Sequence, residues 1–288
     1  MKIGIIGAGK MGYTLGKHFS LNHSDKIKLV GYYSKNLLSA IDAAKFTNSN
    51  YFDSFDKLLE TSDILFITVP DGEITNVVHL IKECSDAAKG KIICHTSGVL
   101  SSAQMKNIFP EAYMYSVHPI YAVNSKKEAY KDFGDSFITL EGDIEYLEVL
   151  KAMFENLGHK VKIISPDDKI KYHGAAVFSS NLVIGLYHMA QELLMKCGFD
   201  DDEVDLALKP LFINNAKKLY ETNCEVALTG PVERCDIDTV QKHLSVLDKE
   251  CYRVYKLLSN QLVNIAEIKN EGRDYSNLYK ILNCEKDD

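Results

Sequence analysis

The sequence is poor in several things. It has no tryptophan and only six prolines in 288 residues. It has no excess of positive charge: the formal net charge is -7. That excludes the basic field needed to hold a nucleic-acid backbone. It has no CxxC pair among its seven cysteines. An odd, scattered set reads as reduced thiols of a cytoplasmic protein, not as a disulfide framework or metal site. Cys94, inside an apolar run, reads as packing. No uncharged run is long enough for a confident membrane span. The nearest, Gly174 to Ala190, carries Ser179, Ser180, Asn181 and His188 and reads as a buried core or dimer helix. Met1 and Lys2 lead straight into a strand, so no signal peptide is expected.

What is present is an alternation. Residues 2–6 read as a short buried strand, followed by Gly7-Ala8-Gly9-Lys10-Met11-Gly12, a helix to about Leu21, and a second strand over 27–33. That is one βαβ unit of the expected size. Further strands are predicted near Tyr51 and over 64–69, 91–95, 113–117, 137–140 and 161–164. Helices are predicted over 56–60, 74–83, 101–109 and 144–157. Continuous apolar strands alternating with helices imply a doubly wound parallel sheet of the α/β class. After Ser165-Pro166 no strand signal remains. One long helix is expected from Asp167 or Asp168 to about Lys196, another from Asp200–Asp202 with Pro210 inside it, and further helices over about 236–269 and 275–283. The predicted division is a Rossmann-like domain over 1–165 and an all-helical domain over 166–288.

A lone GxGxxG is weak evidence. Here a strand precedes it, a helix follows it, and a second strand lies at the right distance. Gly7 suits the turn off the strand, Gly9 the approach of a pyrophosphate, and Gly12 close packing of helix on sheet. The helix N-terminus offers free N–H groups to phosphates. The second strand runs out through Tyr32-Tyr33-Ser34-Lys35-Asn36. No Asp or Glu stands there to hold ribose hydroxyls. Ser34 can donate to a 2′-phosphate and Lys35 can neutralise it, which points to NADP (NADPH) over NAD.

Ligands of open α/β sheets sit beyond the carboxyl ends of the strands. Three ends can be read: Val69-Pro70-Asp71, His95-Thr96-Ser97-Gly98 and His118-Pro119-Ile120-Tyr121. Hydride transfer needs an oriented substrate and usually a proton donor, and a histidine titrating near neutrality can be one. His118 is the first candidate; its alternative role is to hold a loop. His95, still inside its strand, reads as structural. His173, Ser180 and Asn181 are spaced to return to one helix face, where they either meet a ligand or bond internally. Arg234 and Asp236 either bind a substrate carboxylate or pair with each other.

These segments carry a resemblance. GAGKMG (7–12), TVPDGEI (68–74), HTSGVLSS (95–102), HPIYAV (118–123), YHGAAVFSSN (172–181) and TGPVERCDIDTV (229–240) resemble the family that joins a Rossmann-like NADP-binding domain to a helical C-terminal domain of unknown function. More distantly the chain is similar to pyrroline-5-carboxylate reductase, deazaflavin-dependent NADP reductase and the β-hydroxyacid dehydrogenases, in a 6-phosphogluconate-dehydrogenase-like arrangement. The resemblance implies NADP at Gly7–Gly12 with Val69 and Pro70 beside it. It implies a small substrate in a cleft between the halves near Ser97, His118 and His173, and a homodimer through the helical domain. From the residues themselves, Ser97, Asn181 and Arg234 are the candidate substrate-binding residues and His118 or His173 the catalytic acid. The dehydrogenase pattern places an Asn one helical turn after its Lys. Lys171 and Asn181 are ten apart, so that mechanism does not carry over. The reading is an NADP-dependent oxidoreductase acting on a small carbonyl, imine or hydroxy compound. Its alternatives are a non-catalytic NADP(H) sensor or interaction protein and a deazaflavin-linked reductase.

Overall fold

The computed structural model describes residues 1–22 and 27–283. The chain divides into two compact units, residues 1–181 and 182–288. The first contains β1 (Lys2–Ile6), α1 (Lys10–Leu21), β2 (Lys28–Tyr33), α2 (Leu37–Thr47), β3 (Asn50–Tyr51), α3 (Phe55–Thr61), β4 (Ile64–Ile67), α4 (Asp71–Glu83) and α5 (Ser85–Ala88). It continues with β5 (Ile92–His95), α6 (Ser102–Ile108), β6 (Tyr113–Ile120), β7 (Phe137–Gly142), α7 (Leu147–Asn156), β8 (Lys160–Ile163) and α8 (Lys169–Phe178).

The strands form one sheet in the order β3-β2-β1-β4-β5-β6-β7-β8. The chain starts in the middle, winds outward to β3, then crosses back to β4. That reversal between β1 and β4 is the topological switch point where an open sheet leaves a crevice. Side chains alternate between two cores. Ile3, Ile5, Phe19, Phe66, Tyr115 and Phe154 pack on one face, while Ile6, Leu58, Leu65, Ile67, Ile74 and Phe109 pack on the other. Burial on both faces explains why β4 and β5 read as unbroken apolar runs.

The sheet is parallel except at one place. β6 pairs with β7 antiparallel, with His118 opposite Thr139, and β8 returns parallel to β7. The physical reason lies in the connection. Parallel neighbours need a crossover, usually a helix, and α7 supplies one between β7 and β8. Residues 121–136, between β6 and β7, hold only two short 3₁₀ turns.

The expected helix from Asp168 to Lys196 is two helices. Lys169–Phe178 ends at Ser179 and Ser180, and α9 (Asn181–Lys196) begins anew. The Ser179 hydroxyl bonds back to the Ala175 and Ala176 carbonyls, and that of Ser180 to Ala176. Such back-bonding competes with the helical ladder and bends it. The texture change near 165 marks the end of the sheet, whereas the first compact unit runs on through α8.

The second unit is helical throughout its described residues: most of α9, then α10 (Asp201–Glu221), α11 (Cys224–Ala227), α12 (Ile237–Val246), α13 (Lys249–Lys269) and α14 (Ser276–Asn283). Asp200 and Glu203 form a reciprocal capping box on α10, which satisfies two otherwise orphaned N–H groups. Leu228, Val240, Leu244, Val263, Ala266, Tyr275 and Leu278 make a small core. α9 contributes no buried residue, so the expectation of a buried core helix over 174–190 is not met within this chain. Among the described residues no helix is long and apolar enough to cross a membrane.

Candidate functional site

The glycine loop leaves β1 through Gly7, whose φ of +103° suits a residue without Cβ. The loop is stitched to its neighbours by Gly7 N donating to the Tyr33 carbonyl at 2.8 Å and Thr68 Oγ1 donating to the Gly7 carbonyl at 2.8 Å. A Cβ on Gly12 would overlap the Gly7 carbonyl and lie 2.7 Å from Thr68 Oγ1, so only glycine lets α1 come this close. Gly9 differs. Its nearest neighbour to a Cβ would be the Thr68 carbonyl at 3.8 Å. No side chain caps α1 there, which leaves first-turn N–H groups available for an anion.

Around this cradle, Ala8 is buried, Met11 half-buried and Lys10 exposed. Val69 touches the loop: a Cβ on Gly7 would lie 2.9 Å from its Cγ1. Pro70 is exposed and caps α4. Ser34 is half-buried and Lys35 exposed just past β2, while Asn36 is used to cap α2, accepting from Ser39 N at 3.4 Å. The residues present therefore fit a dinucleotide.

A second group of side chains gathers along the carboxyl ends of β4, β5 and β6. Ser97 is buried, but its hydroxyl is fully used. It donates to Asp71 Oδ2 at 2.8 Å and accepts from Val99 N at 3.1 Å and Leu100 N at 3.0 Å. Ser97 therefore anchors the loop after β5. His118 Nδ1 is hydrogen-bonded to the Tyr172 hydroxyl. Its ring lies 5.8 Å from that of His173. Both rings crowd Gly98: a Cβ there would overlap His173 Nδ1 and come within 2.9 Å of His118 Nε2. Only glycine at position 98 lets the two imidazoles pack this closely against the loop after β5. His173 Nδ1 is buried without a hydrogen-bond partner.

Beside the imidazoles lies a buried polar network. Lys169 is only 1% exposed. It donates to Ser116 Oγ, which in turn donates to the Ser97 carbonyl at 3.3 Å, and stands 4.0 Å from Glu141. Glu141, also buried, accepts from Ser102 N at 2.7 Å and Ser102 Oγ at 2.6 Å. Burial pulls the Lys169 ammonium down to about 8, against the opposing pull of Glu141 and Asp71. His95 Nδ1 accepts from Ser97 N at 3.3 Å, and its Nε2 is buried without a partner.

Burial, then the charges of Lys169 and His173, push His118 down to about 3. This departs from the expectation of an imidazole titrating near neutrality: a partly desolvated ring near a buried cation resists a second proton. At pH 7 His118 is neutral.

Ser180 and Asn181 are exposed, and the Ser180 hydroxyl reaches Asn181 Oδ1 at 3.2 Å. The bend at Ser179 removes the shared face that their spacing from His173 suggested. Arg234, in the helical unit, is exposed. Its suggested partner Asp236 caps α12 through Thr239 N at 3.1 Å and Thr239 Oγ1 at 2.8 Å. Lys171 is exposed and pairs with Asp168 at 3.3 Å. Sequence reasoning passed over Lys169, Tyr172 and Gly98. The available signal was the i, i+3, i+4 spacing of Lys169, Tyr172 and His173, which puts them on one helical face.

Residues 1–119 match the Rossmann-like domain model and residues 136–262 match the domain of unknown function DUF2520. The chain joins a Rossmann-like domain to a DUF2520 domain. The DUF2520 match starts at β7 and so takes in the last two strands as well as helices. A Thermotoga maritima protein shares the fold at TM-score 0.71 and 23% identity, over 93% of this chain and 99% of that one. A Bacteroides fragilis protein, whose assignment as an NADP oxidoreductase is itself provisional, matches at 0.65 and 24%, over 91% and 98%. Pyrroline carboxylate reductase from Plasmodium falciparum, solved with NADP bound, matches at 0.59 and 15%, over 93% and 96%. At such identities the likeness is one of fold. No curated protein matches the chain.

Proposed function

We propose that this Rossmann-like/DUF2520 chain is an NADP(H)-dependent oxidoreductase acting on a small carbonyl, imine or hydroxy compound. The observation that carries the reading is the pair of imidazoles, His118 and His173, gathered at Gly98 on the same carboxyl rim as the glycine cradle. The reductase and dehydrogenase fold of its structural neighbours supports it. A bound nicotinamide dinucleotide supplies the hydride. The chain supplies the rest: first-turn N–H groups of α1 for the phosphates, Ser34 and Lys35 for the 2′-phosphate, and His118 as hydrogen-bond donor to the reacting group.

Two measurements test this. NADPH is expected to bind more tightly than NADH in a fluorescence titration; the reverse order overturns the NADP preference. His118→Gln is expected to bind NADPH within about twofold of wild type but to turn over at least about tenfold more slowly, as for a lost acid–base group. Unchanged turnover removes His118 from the mechanism. Tight NADPH binding with no oxidation across a panel of carbonyls and imines favours the sensor reading.

We also propose that the chain pairs with a second copy through α9 and α10. Val183, Ile184, Tyr187, Phe212 and Ile213 line an apolar groove there. Ile184 is 69% and Ile213 59% exposed. Contiguous exposed apolar surface of this kind marks an interface.

A further inference from the structure

Residues 121–136 leave the carboxyl end of β6 and run as a strap along α1, the helix that opens at the glycine cradle. The first half of the strap is tied by charge. Lys126 Nζ lies 4.2 Å from the centre of the Tyr13 ring, and Lys127 stands 3.7 Å from Asp42 on α2. The second half is tied by rings. Phe133 is fully buried. Its ring lies 5.2 Å from that of His18, in the last turn of α1, and 5.1 Å from that of His159, between α7 and β8. Both histidines are buried, and they meet Nε2 to Nε2 at 2.9 Å.

One arrangement of protons satisfies these contacts. His159 Nδ1 lies 3.1 Å from the Ser136 carbonyl, which can only accept, so neutral His159 carries its proton on Nδ1. Its Nε2 is then a lone pair, and His18 Nε2–H donates to it. Two neutral rings thus stitch α1 to the turn before β8 and to the end of the strap. A further proton has no good place. On His159 Nε2 it sets two N–H groups face to face at 2.9 Å. On His18 Nδ1 it puts a charge into a buried site edged by Phe133, and an uncompensated buried charge is costly. The charged residues flanking these rings in sequence are Lys17, Lys131, Asp132, Asp135, Glu155 and Lys160. Lys17 bonds to the Phe46 carbonyl at 3.1 Å, and Lys131 pairs with Glu128. Among the described residues no carboxylate bears on either ring.

We propose that the His18–His159 pair is a proton-operated latch on the strap: when either ring takes a second proton, residues 129–136 part from α1 and the rings reach water. The latch is independent of the oxidoreductase reading. Its direction follows from the rings. Opened to water, an imidazole titrates near about 6.5, whereas burial pushes His18 down to about 4. Opening therefore takes up a proton, and it is favoured as pH falls through that interval. From pH 7.5 to pH 5.5, His18 alone raises the opening constant about tenfold. Burial also holds His159 below its ordinary value, which adds to the effect.

Hydrogen exchange of the full chain, read by mass spectrometry, tests the latch without substrate or cofactor. Corrected for the chemical exchange rate, amides of 129–136 are expected to exchange at least about tenfold faster at pH 5.5 than at pH 7.5. Those of β1 and β4 are expected to stay unchanged. A strap that does not respond, or equal acceleration throughout the sheet, overturns the latch. In the double variant His18→Gln, His159→Gln the acceleration is expected to shrink to within about twofold; full acceleration there assigns it to other groups and overturns the latch as well. A further readout uses wild type alone and so survives a variant that fails to fold. Long-range ¹H–¹⁵N correlation of ¹⁵N-histidine protein at pH 7.5 is expected to show a protonated His159 Nδ1 and a protonated His18 Nε2. A proton on His159 Nε2 overturns the arrangement on which the latch depends.

Discussion

α8 and α9 are separated by two serines and are similarly rich in apolar residues, yet they are held in different ways. In α8 the fully buried residue is a lysine, while Ile170 and Phe178 are more than 70% exposed. Its place is set by directional bonds: Lys169 to Ser116 and Tyr172 to His118. α9 buries nothing in this chain and shows Leu182, Ile184 and Leu186 to solvent. A helix fixed by polar bonds is specified in orientation and register, and it can present a nitrogen to within a fraction of an ångström. A helix with an uncovered apolar face is specified only by whatever covers it. The contrast is why chemistry is proposed for the first and association for the second.

Breaking the polar side is expected to have the largest effect. Lys169→Ala leaves Glu141 buried beside no cation, a change worth about 3–5 kcal/mol of stability in chemical denaturation. The double variant Lys169→Met, Glu141→Leu is expected to recover only part of it, since it removes the unpaired charge but strands the Ser102 N–H and hydroxyl that Glu141 accepts from. If the single variant costs under about 1 kcal/mol, the network does not hold α8. On the apolar side, Ile184→Asp with Ile213→Asp is expected to weaken self-association by more than about tenfold in sedimentation velocity, or over 1.4 kcal/mol, leaving NADPH affinity unchanged. A monomeric wild type breaks the comparison at once. A smaller loss, about 1–2 kcal/mol, is expected for Ser97→Ala, which strands the N–H groups of Val99 and Leu100.

The smallest effect is on pH dependence. Burial pushes His95 down to about 3 and His18, packed against His159, down to about 4. The unfolded chain binds protons at these sites below about pH 6.5, where the folded chain does not, so stability falls as pH falls through that window. Between pH 7 and pH 6 each such histidine contributes a loss of about 0.7 kcal/mol. Replacing His18 by Gln is expected to flatten the thermal-melt profile across that interval; an unchanged slope shows that His18 is not held neutral.

Much of this was legible beforehand. β1, β4 and β5 read as strands because burial on both faces demands unbroken Ile, Leu and Phe, and the glycine loop read as a cradle because its flanks were so regular. Sequence texture does not report strand direction, so the reversal at β7 was hidden. Lys169 was hidden too, since it stands in Asp167-Asp168-Lys169-Ile170-Lys171, which has the look of a solvated run. His118 was found, but its charge state depends on its burial and then on Lys169, far off in the sequence. Ser97 drew attention for its position at a strand end, where its hydroxyl serves the loop instead.

The reversal at β7 has a consequence for the route of the chain. β7 and β8 run opposite to the first six strands, and β8 ends with Ile163 beside Leu140, which stands opposite Val117. Val117 is one residue beyond Ser116, the partner of His95 at the end of β5, so the chain leaves β8 level with the carboxyl rim. α8 begins there: Lys169 meets Ser116, Tyr172 reaches His118 two residues further along β6, and His173 packs against Gly98. The two turned strands thus decide which three polar side chains stand beside the end of β6.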